Sequence, residues 1–483
     1  MFKNKFIAAL LNFWLFLAFA SGIVIAYHFP SFLIFIFLFI ISAILSIFFY
    51  KKQTLLLSDV FIVILFISLG ALIFLPHAYQ NPDNFFNQEN AYTLKVSSLP
   101  ACRHSQNTFF AEISKINGIP IVLRARVVDY TRKMKYLDQY ETTGRLSRRK
   151  FGNFDFYSLW IKSNAVSIEL PAHIEDRITR RLTYHLLDVF KKNLTDESYR
   201  FLASVFLGRR ELLERDEKSV FTDAGIAHLL AISGSNIGLT AVVLFFILKL
   251  FSVKFRVCLL ISIFFLVIYT FITGSSPPTL RATIMYAVFS ASFFVKRKLN
   301  PFNSLGLAGV ICLLLQPTWL FDVGFQLSFL SIFALILGFK MFPIRPSRLE
   351  FLNQVQYLFF SSLYVTILIT PLVAYYFGRI YILSIFNNII LIPFFTLILV
   401  ANFLLIIFSP FQIIAQSIGA ILSALIPIFY KLSQCLGSLK FSFINFYFSM
   451  RAVFFYYLIL SVFLIAKARL SRFRISFNST RST

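Results

Sequence analysis

The chain has 483 residues, of which 58% are hydrophobic and 14% charged, and its mean hydropathy is +0.76. That balance excludes a soluble globular domain and points to a polytopic membrane protein. The formal charge of +25 (46 basic, 21 acidic residues) combines the Lys/Arg excess of cytoplasmic loops with a field able to attract an anionic partner.

In chain order, Lys3 and Lys5 precede an apolar run to Tyr27. Ala18-Phe19-Ala20 mimics a signal-peptide cleavage site, but a second apolar run follows at once, so a retained first helix is expected. Runs over 6–27, 30–50 and 55–75 are long enough to span, making 1–75 a three-helix membrane segment. With Lys3, Lys5, Lys51 and Lys52 on the cytoplasmic side, the region from 76 to 223 would lie outside.

That region differs in kind. Alternating runs predict strands near 92–99, 108–116, 119–128, 140–147 and 162–169; in the third, Ile121, Leu123, Ala125 and Val127 alternate with Val122, Arg124 and Arg126. Five strands in 76–173 suit an OB-like barrel, a class that commonly holds single-stranded nucleic acid. Arg124, Arg126, Arg145, Arg148, Arg149 and Lys150 supply candidate phosphate contacts, and Phe151, Phe154, Phe156, Tyr157 and Trp160 follow as candidate stacking rings. Such a stretch also fits a solvated face over an ordinary barrel core.

From 174 to 192, Ile174, Ile178, Leu182, Leu186 and Val189 recur at helical spacing, and a second helix is predicted over 196–207. Both are too polar to span, so 174–224 reads as interfacial helices on, or roofing, the membrane domain. Spans are predicted over 226–248, 257–273, 279–295, 301–316, 322–339, 356–377, 381–408, 411–431 and 452–466. Basic residues in alternate connections place the C-terminus inside and bring the total to about twelve helices. This makes 225–466 one membrane domain and 467–483 a basic cytoplasmic tail.

Three polar segments interrupt this block. The first, from Ala227 to Gly238, carries His228, Ser233, Gly234, Asn236 and Gly238. Unpartnered polar groups cost several kcal/mol in hydrocarbon, so it must face protein or a water-filled path, while its glycines permit close backbones or a broken helix. In the second, Ser276 can cap a helix that begins at Pro277-Pro278, which places Arg281 one turn inside, where a phosphate could be held. An arginine there could also snorkel to the interface. The third holds Asp322, Gly324, Gln326 and Ser328, with Asp322 favourable at a helix start or as a partner for Arg281. A weaker break is read at Asn387-Asn388 and Pro393, where the run 381–408 is long enough to bend or re-enter. Cys102, Cys258, Cys312 and Cys435 are too scattered for a disulfide framework or metal site.

The ordered set His228-Leu229-Leu230-Ala231-Ile232-Ser233-Gly234, Pro278-Thr279-Leu280-Arg281-Ala282 and Gly324-Phe325-Gln326-Leu327-Ser328-Phe329 resembles the ComEC-type competence proteins, with Gly152 to Leu159 similar to the end of their OB-type domain. These are polytopic channels that carry transforming single-stranded DNA across the bacterial cytoplasmic membrane. The resemblance implies an inner-membrane location and a DNA path lined by His228, Ser233, Gly234, Asn236, Arg281, Gln326 and Ser328, with Gly238, Pro277, Pro278, Asp322 and Gly324 breaking or positioning helices. It implies single-stranded DNA and the bilayer as partners, with an external DNA receptor, a separate nuclease and a cytoplasmic motor or single-strand-binding protein. The family usually has His where this chain has Asn236, and many members continue into a metallo-β-lactamase-like domain. This chain stops soon after its last span and has no His-x-His-x-Asp-His cluster, so nuclease activity is not expected. No Gly-x4-Gly-Lys-[Ser/Thr], His-Glu-x-x-His or Cys-x-x-Cys motif predicts a nucleotide, metal or other cofactor, so the expectation is a conduit rather than an enzyme. The alternative is a secondary transporter of a small anionic metabolite or lipid-linked anion, which broken helices and a midplane cation suit as well. A Ser233–His228 hydrolase is disfavoured because residues five apart diverge on an unbroken helix.

Overall fold

A computed structural model describes residues 11–29, 31–51, 55–78, 85–97, 100–103, 106–131, 134–151, 154–162, 168–170, 174–209, 212–230, 234–273, 277–294, 300–344, 346–439 and 442–479. The first three apolar runs form α1 (Leu11–His28), α2 (Phe32–Lys51) and α3 (Leu55–Ala78), with α3 packed on both others. α1 and α3 meet at glycines: a Cβ on Gly22 would overlap the Ile67 carbonyl, and one on Gly70 the Phe19 carbonyl. Small residues at a helix contact let backbones approach closely, which compensates for the absence of a hydrophobic driving force in lipid.

Seven strands follow: β1 (Glu89–Val96), β2 (Ala101–Arg103), β3 (Gln106–Ile116), β4 (Ile119–Asp129), β5 (Gln139–Phe151), β6 (Phe154–Ile161) and β7 (Ile168–Leu170). Five close into a ring, β1-β3-β4-β6-β5 and back to β1, in which only β4–β6 is parallel; β2 and β7 add to β3 and β5 outside it. This is the five-stranded Greek-key arrangement of an OB-type barrel. Closure leaves few unpaired edges, and the interior fills as alternation predicts, with Ile121, Leu123, Ala125 and Val127 buried while Arg126 is exposed. The fifth barrel strand is a correction. It is Phe154–Ile161, not 162–169, because Leu159 and Ile161 alternate into the core from a run that reads in sequence as surface aromatics.

The barrel is docked on helices. Met134, Tyr136, Leu137 and Asp138, between β4 and β5, are buried. Arg180 Nη1 donates to both Asp138 carboxylate oxygens (2.7 and 2.8 Å), and the buried Arg209 guanidinium lies 3.9 Å from the centre of the Tyr136 ring.

Arg180 belongs to α4 (Ile174–Asn193), which leads into α5 (Asp196–Leu207). α5 is enclosed from Phe201 to Leu207, and the Tyr269 hydroxyl donates to the Phe206 carbonyl (2.5 Å), so this helix is part of the helical core rather than laid on its surface. Next comes α6 (Arg215–Asp223), started by a reciprocal capping box between Glu214 and Glu217 and not anticipated from the sequence.

The remaining helices are α7 (Ala227–Leu230), α8 (Gly234–Leu250), α9 (Phe255–Ile272), α10 (Pro277–Ser292), α11 (Pro301–Leu315), α12 (Val323–Met341), α13 (Glu350–Phe377), α14 (Ser384–Phe408), α15 (Gln412–Gly437) and α16 (Met450–Ser479). Strands β8 (Arg379–Ile380) and β9 (Ile444–Asn445) pair near their ends. Among the described residues, six helices are long and apolar enough to cross a membrane: α9, α12, α13, α14, α15 and the Met450–Lys467 part of α16. Shorter apolar helices lie within α1, α2, α3, α8 and α11.

One expectation changes here. α14 is one continuous helix through Pro393, and its asparagines make tertiary ties: Asn387 Nδ2 donates to the Ala224 carbonyl (2.8 Å) and Asn388 Nδ2 to Ser362 Oγ (3.3 Å). Beyond the apolar part that ends at Lys467, α16 continues as helix through the basic segment to Ser479.

Candidate functional site

The span expected over 226–248 is described in two parts, α7 and α8, and 231–233 between them lie outside the described residues. Ser233 lies outside the described residues, as does the side chain of Asn236; Gly234 is the first described residue of α8. His228, on α7, is exposed. On α8, a Cβ added to Gly238 would meet nothing within 4 Å, so this glycine faces open space rather than a packed neighbour.

α10 packs against both α8 and α12, which brings the helices that carry the polar segments together. It begins at Pro277, whose missing amide is no loss in the first turn; Pro278 is half-buried, and the proposed cap Ser276 lies outside the described residues. Arg281 is buried, its side chain 2% exposed. Its Nη1 donates to Asp322 Oδ1 at 3.3 Å, and its carbon centre lies 5.8 Å from each of the Trp319 and Phe325 rings. Nε has no hydrogen-bond partner among the described residues. A guanidinium at this depth requires compensation, and Asp322 with two aromatic rings supplies it.

Asp322 acts twice. Its Oδ1 also accepts from the Phe325 backbone amide (2.8 Å), capping α12, while the side chain remains 45% exposed. Gly324 makes room for the pair: a Cβ there would lie 3.0 Å from Asp322 Oδ1 and 3.1 Å from Arg281 Nη2. Gln326 ties the preceding turn to α13, with Nε2 donating to the Leu320 carbonyl (3.0 Å) and Oε1 accepting from the Tyr376 hydroxyl (3.0 Å). Ser328 is half-buried one turn after Gly324.

A second polar node, unseen in the sequence, fixes the corner between α6 and α7. Arg379 Nη1 donates to Asp223 Oδ1 (2.9 Å) and its guanidinium lies over the Phe443 ring (4.3 Å), while Ser442 Oγ donates to the Asp223 carbonyl (2.6 Å). With the Asn387–Ala224 bond, this holds the turn that carries His228. The partners are up to 219 residues apart, so no local spacing announces them.

On the barrel, Arg126, Arg145 and Arg148 are exposed; the side chains of Arg124, Arg149 and Lys150 lie outside the described residues. The structure therefore joins Arg281, Asp322 and Gly324 in one cluster, with Gln326 beside it, and keeps the barrel arginines apart from them.

Comparison with known proteins bears on the helical half. A family model described as Competence protein matches residues 205–470. The chain is 30% identical over 215 residues to ComE operon protein 3 of Bacillus subtilis (44% of this chain, 27% of that protein). It is 23% identical over 269 residues to Recombination protein 2 of Haemophilus influenzae (52% of this chain, 34% of that protein). An uncharacterized protein of Aquifex aeolicus is 28% identical over 192 residues (39% of this chain, 45% of that protein). The matched stretches thus cover less than half the length of each relative. No solved structure matches the chain. Because the matched region takes in α7 to α12 and more than half of the sequence, the chain belongs to the competence-protein family.

Proposed function

We propose that this protein carries single-stranded DNA across the cytoplasmic membrane during natural transformation, as a conduit rather than an enzyme. The observation that carries this reading is the buried Arg281, held by a half-exposed acid and carried on a helix that packs against α8, where Gly238 faces open space. Family membership and the relatives named for competence and recombination support it.

In this reading the barrel faces outward and gathers the strand through phosphate attraction and base stacking. The strand then passes between α7–α8, α10 and α12. At rest Asp322 occupies the guanidinium of Arg281; a passing phosphate exchanges with it. Each contact stays weak, since a channel must release what it binds. His228, Ser233, Asn236 and Gln326 offer neutral polar groups along the way. The driving force and the removal of the second strand come from partners: an external DNA receptor, a nuclease, and a cytoplasmic motor or single-strand-binding protein. The C-terminus then lies in the cytoplasm.

The test is uptake of labelled DNA into a nuclease-protected state. Arg281→Ala is expected to abolish it while membrane level and surface-bound DNA stay normal. Undiminished uptake in that variant would overturn the reading.

A further inference from the structure

We infer that two exposed rings on the barrel, Tyr130 and Trp160, form a stacking platform for two successive bases of a single strand, flanked by Arg126 and Arg145. This deepens the DNA-conduit reading and rests on it. Along β6, Leu159 and Ile161 point into the barrel, so Trp160 points out; it is 38% exposed. Its indole Nε1 donates to Ser147 Oγ on β5 (3.3 Å), so the ring leans across the strand pair in a fixed orientation. In register, Trp160 lies opposite Arg145 on one side and Val128 on the other. Tyr130, 41% exposed, follows the end of β4 two residues beyond Val128, its amide donating to the Ile161 carbonyl (3.2 Å), and two residues before Val128 stands the exposed Arg126. Tyr130 and Trp160 are thus diagonal neighbours across the parallel pair, about 8 Å apart from strand spacing and rise, a separation that suits neighbouring unstacked bases.

Other candidate rings are unsuited or undescribed. Tyr157 stacks on Phe86 (5.9 Å between centres) and packs on the barrel core, and the side chains of Phe151, Phe154 and Phe156 lie outside the described residues. Position adds a second argument. β4 leaves the platform at Tyr130 and enters the segment 134–138 that docks on Arg180 and Arg209, so the rings lie at the barrel end nearest the helices. Rings interleaved with cations are the surface that holds single strands without sequence preference.

The experiment uses the full chain in detergent micelles, with binding of labelled oligo-dT compared with an abasic strand of equal length. The wild type is expected to favour oligo-dT. Tyr130→Ala and Trp160→Ala should each weaken oligo-dT binding about 5- to 150-fold, leaving the abasic strand unaffected. Trp160→Phe should retain most of the preference, which separates stacking from misfolding. Replacing Arg126 and Arg145 by Ala should weaken both strands alike and flatten the salt dependence. If the wild type has no preference, or the two Ala variants keep it, the platform is wrong while capture by charge stands. If the wild type binds neither strand, capture by the barrel fails, and the platform with it.

Discussion

Arg281 and Asp322 stand 3.3 Å apart across α10 and the start of α12, with the guanidinium sealed from solvent and the carboxylate 45% open to it. Water screens one partner and not the other, so the pair holds the arginine in place while its acid stays accessible to exchange. Asp322→Asn keeps a cap acceptor for the Phe325 amide but leaves the buried cation without its counter-charge. We expect a loss of about 1–3 kcal/mol in thermal unfolding. The double variant Arg281→Met, Asp322→Asn should lose less than the sum of the two single changes. Strict additivity would contradict coupling between them.

Two glycines of the site should respond in opposite ways. Gly324→Ala puts a methyl group within 3.1 Å of Arg281 Nη2 and is expected to destabilise by about 1–3 kcal/mol and to reduce DNA uptake. Gly238→Ala has free space and should be neutral or stabilise α8 by about 0.5–1 kcal/mol. Gly238→Trp should then leave folding intact and block uptake; normal uptake would place the strand elsewhere.

The barrel's seat depends on Arg180. Asp138 is fully buried, so Arg180→Ala strands a carboxylate, at an expected loss on the order of 3 kcal/mol. Hydrogen exchange should rise first in the segment 134–138. Unchanged protection there would mean that the Arg209–Tyr136 stack alone holds the docking segment.

Tyr376→Phe removes the only hydroxyl donor to Gln326 Oε1 found among the described residues. The expected loss is about 1 kcal/mol, with little effect on oligo-dT binding at the barrel. A large loss of barrel binding would indicate coupling between the two regions that the fold does not display.

Runs of apolar residues made the helices readable, because a spanning helix is announced by composition over about twenty residues. Arg281 and Asp322 were legible for a related reason: a charge inside an apolar run demands a partner, and the opposite charge begins a nearby run. The strand Phe154–Ile161 was harder to read, since its aromatics serve both core and surface and blur the period of two. α6 escaped because nine mostly polar residues carry no apolar stripe, only a capping box. Asp223, Arg379 and Tyr376 were invisible for want of any local pattern; their partners arrive only when distant helices pack.

The clasp of Arg180 on Asp138 and of Arg209 on Tyr136 has a consequence for how the two parts work together. A barrel on a slack tether would swing, and whatever it carried would point in every direction in turn. Gripped through its own loop, it cannot rotate freely, so a polymer lying across it keeps one heading relative to the helices beneath.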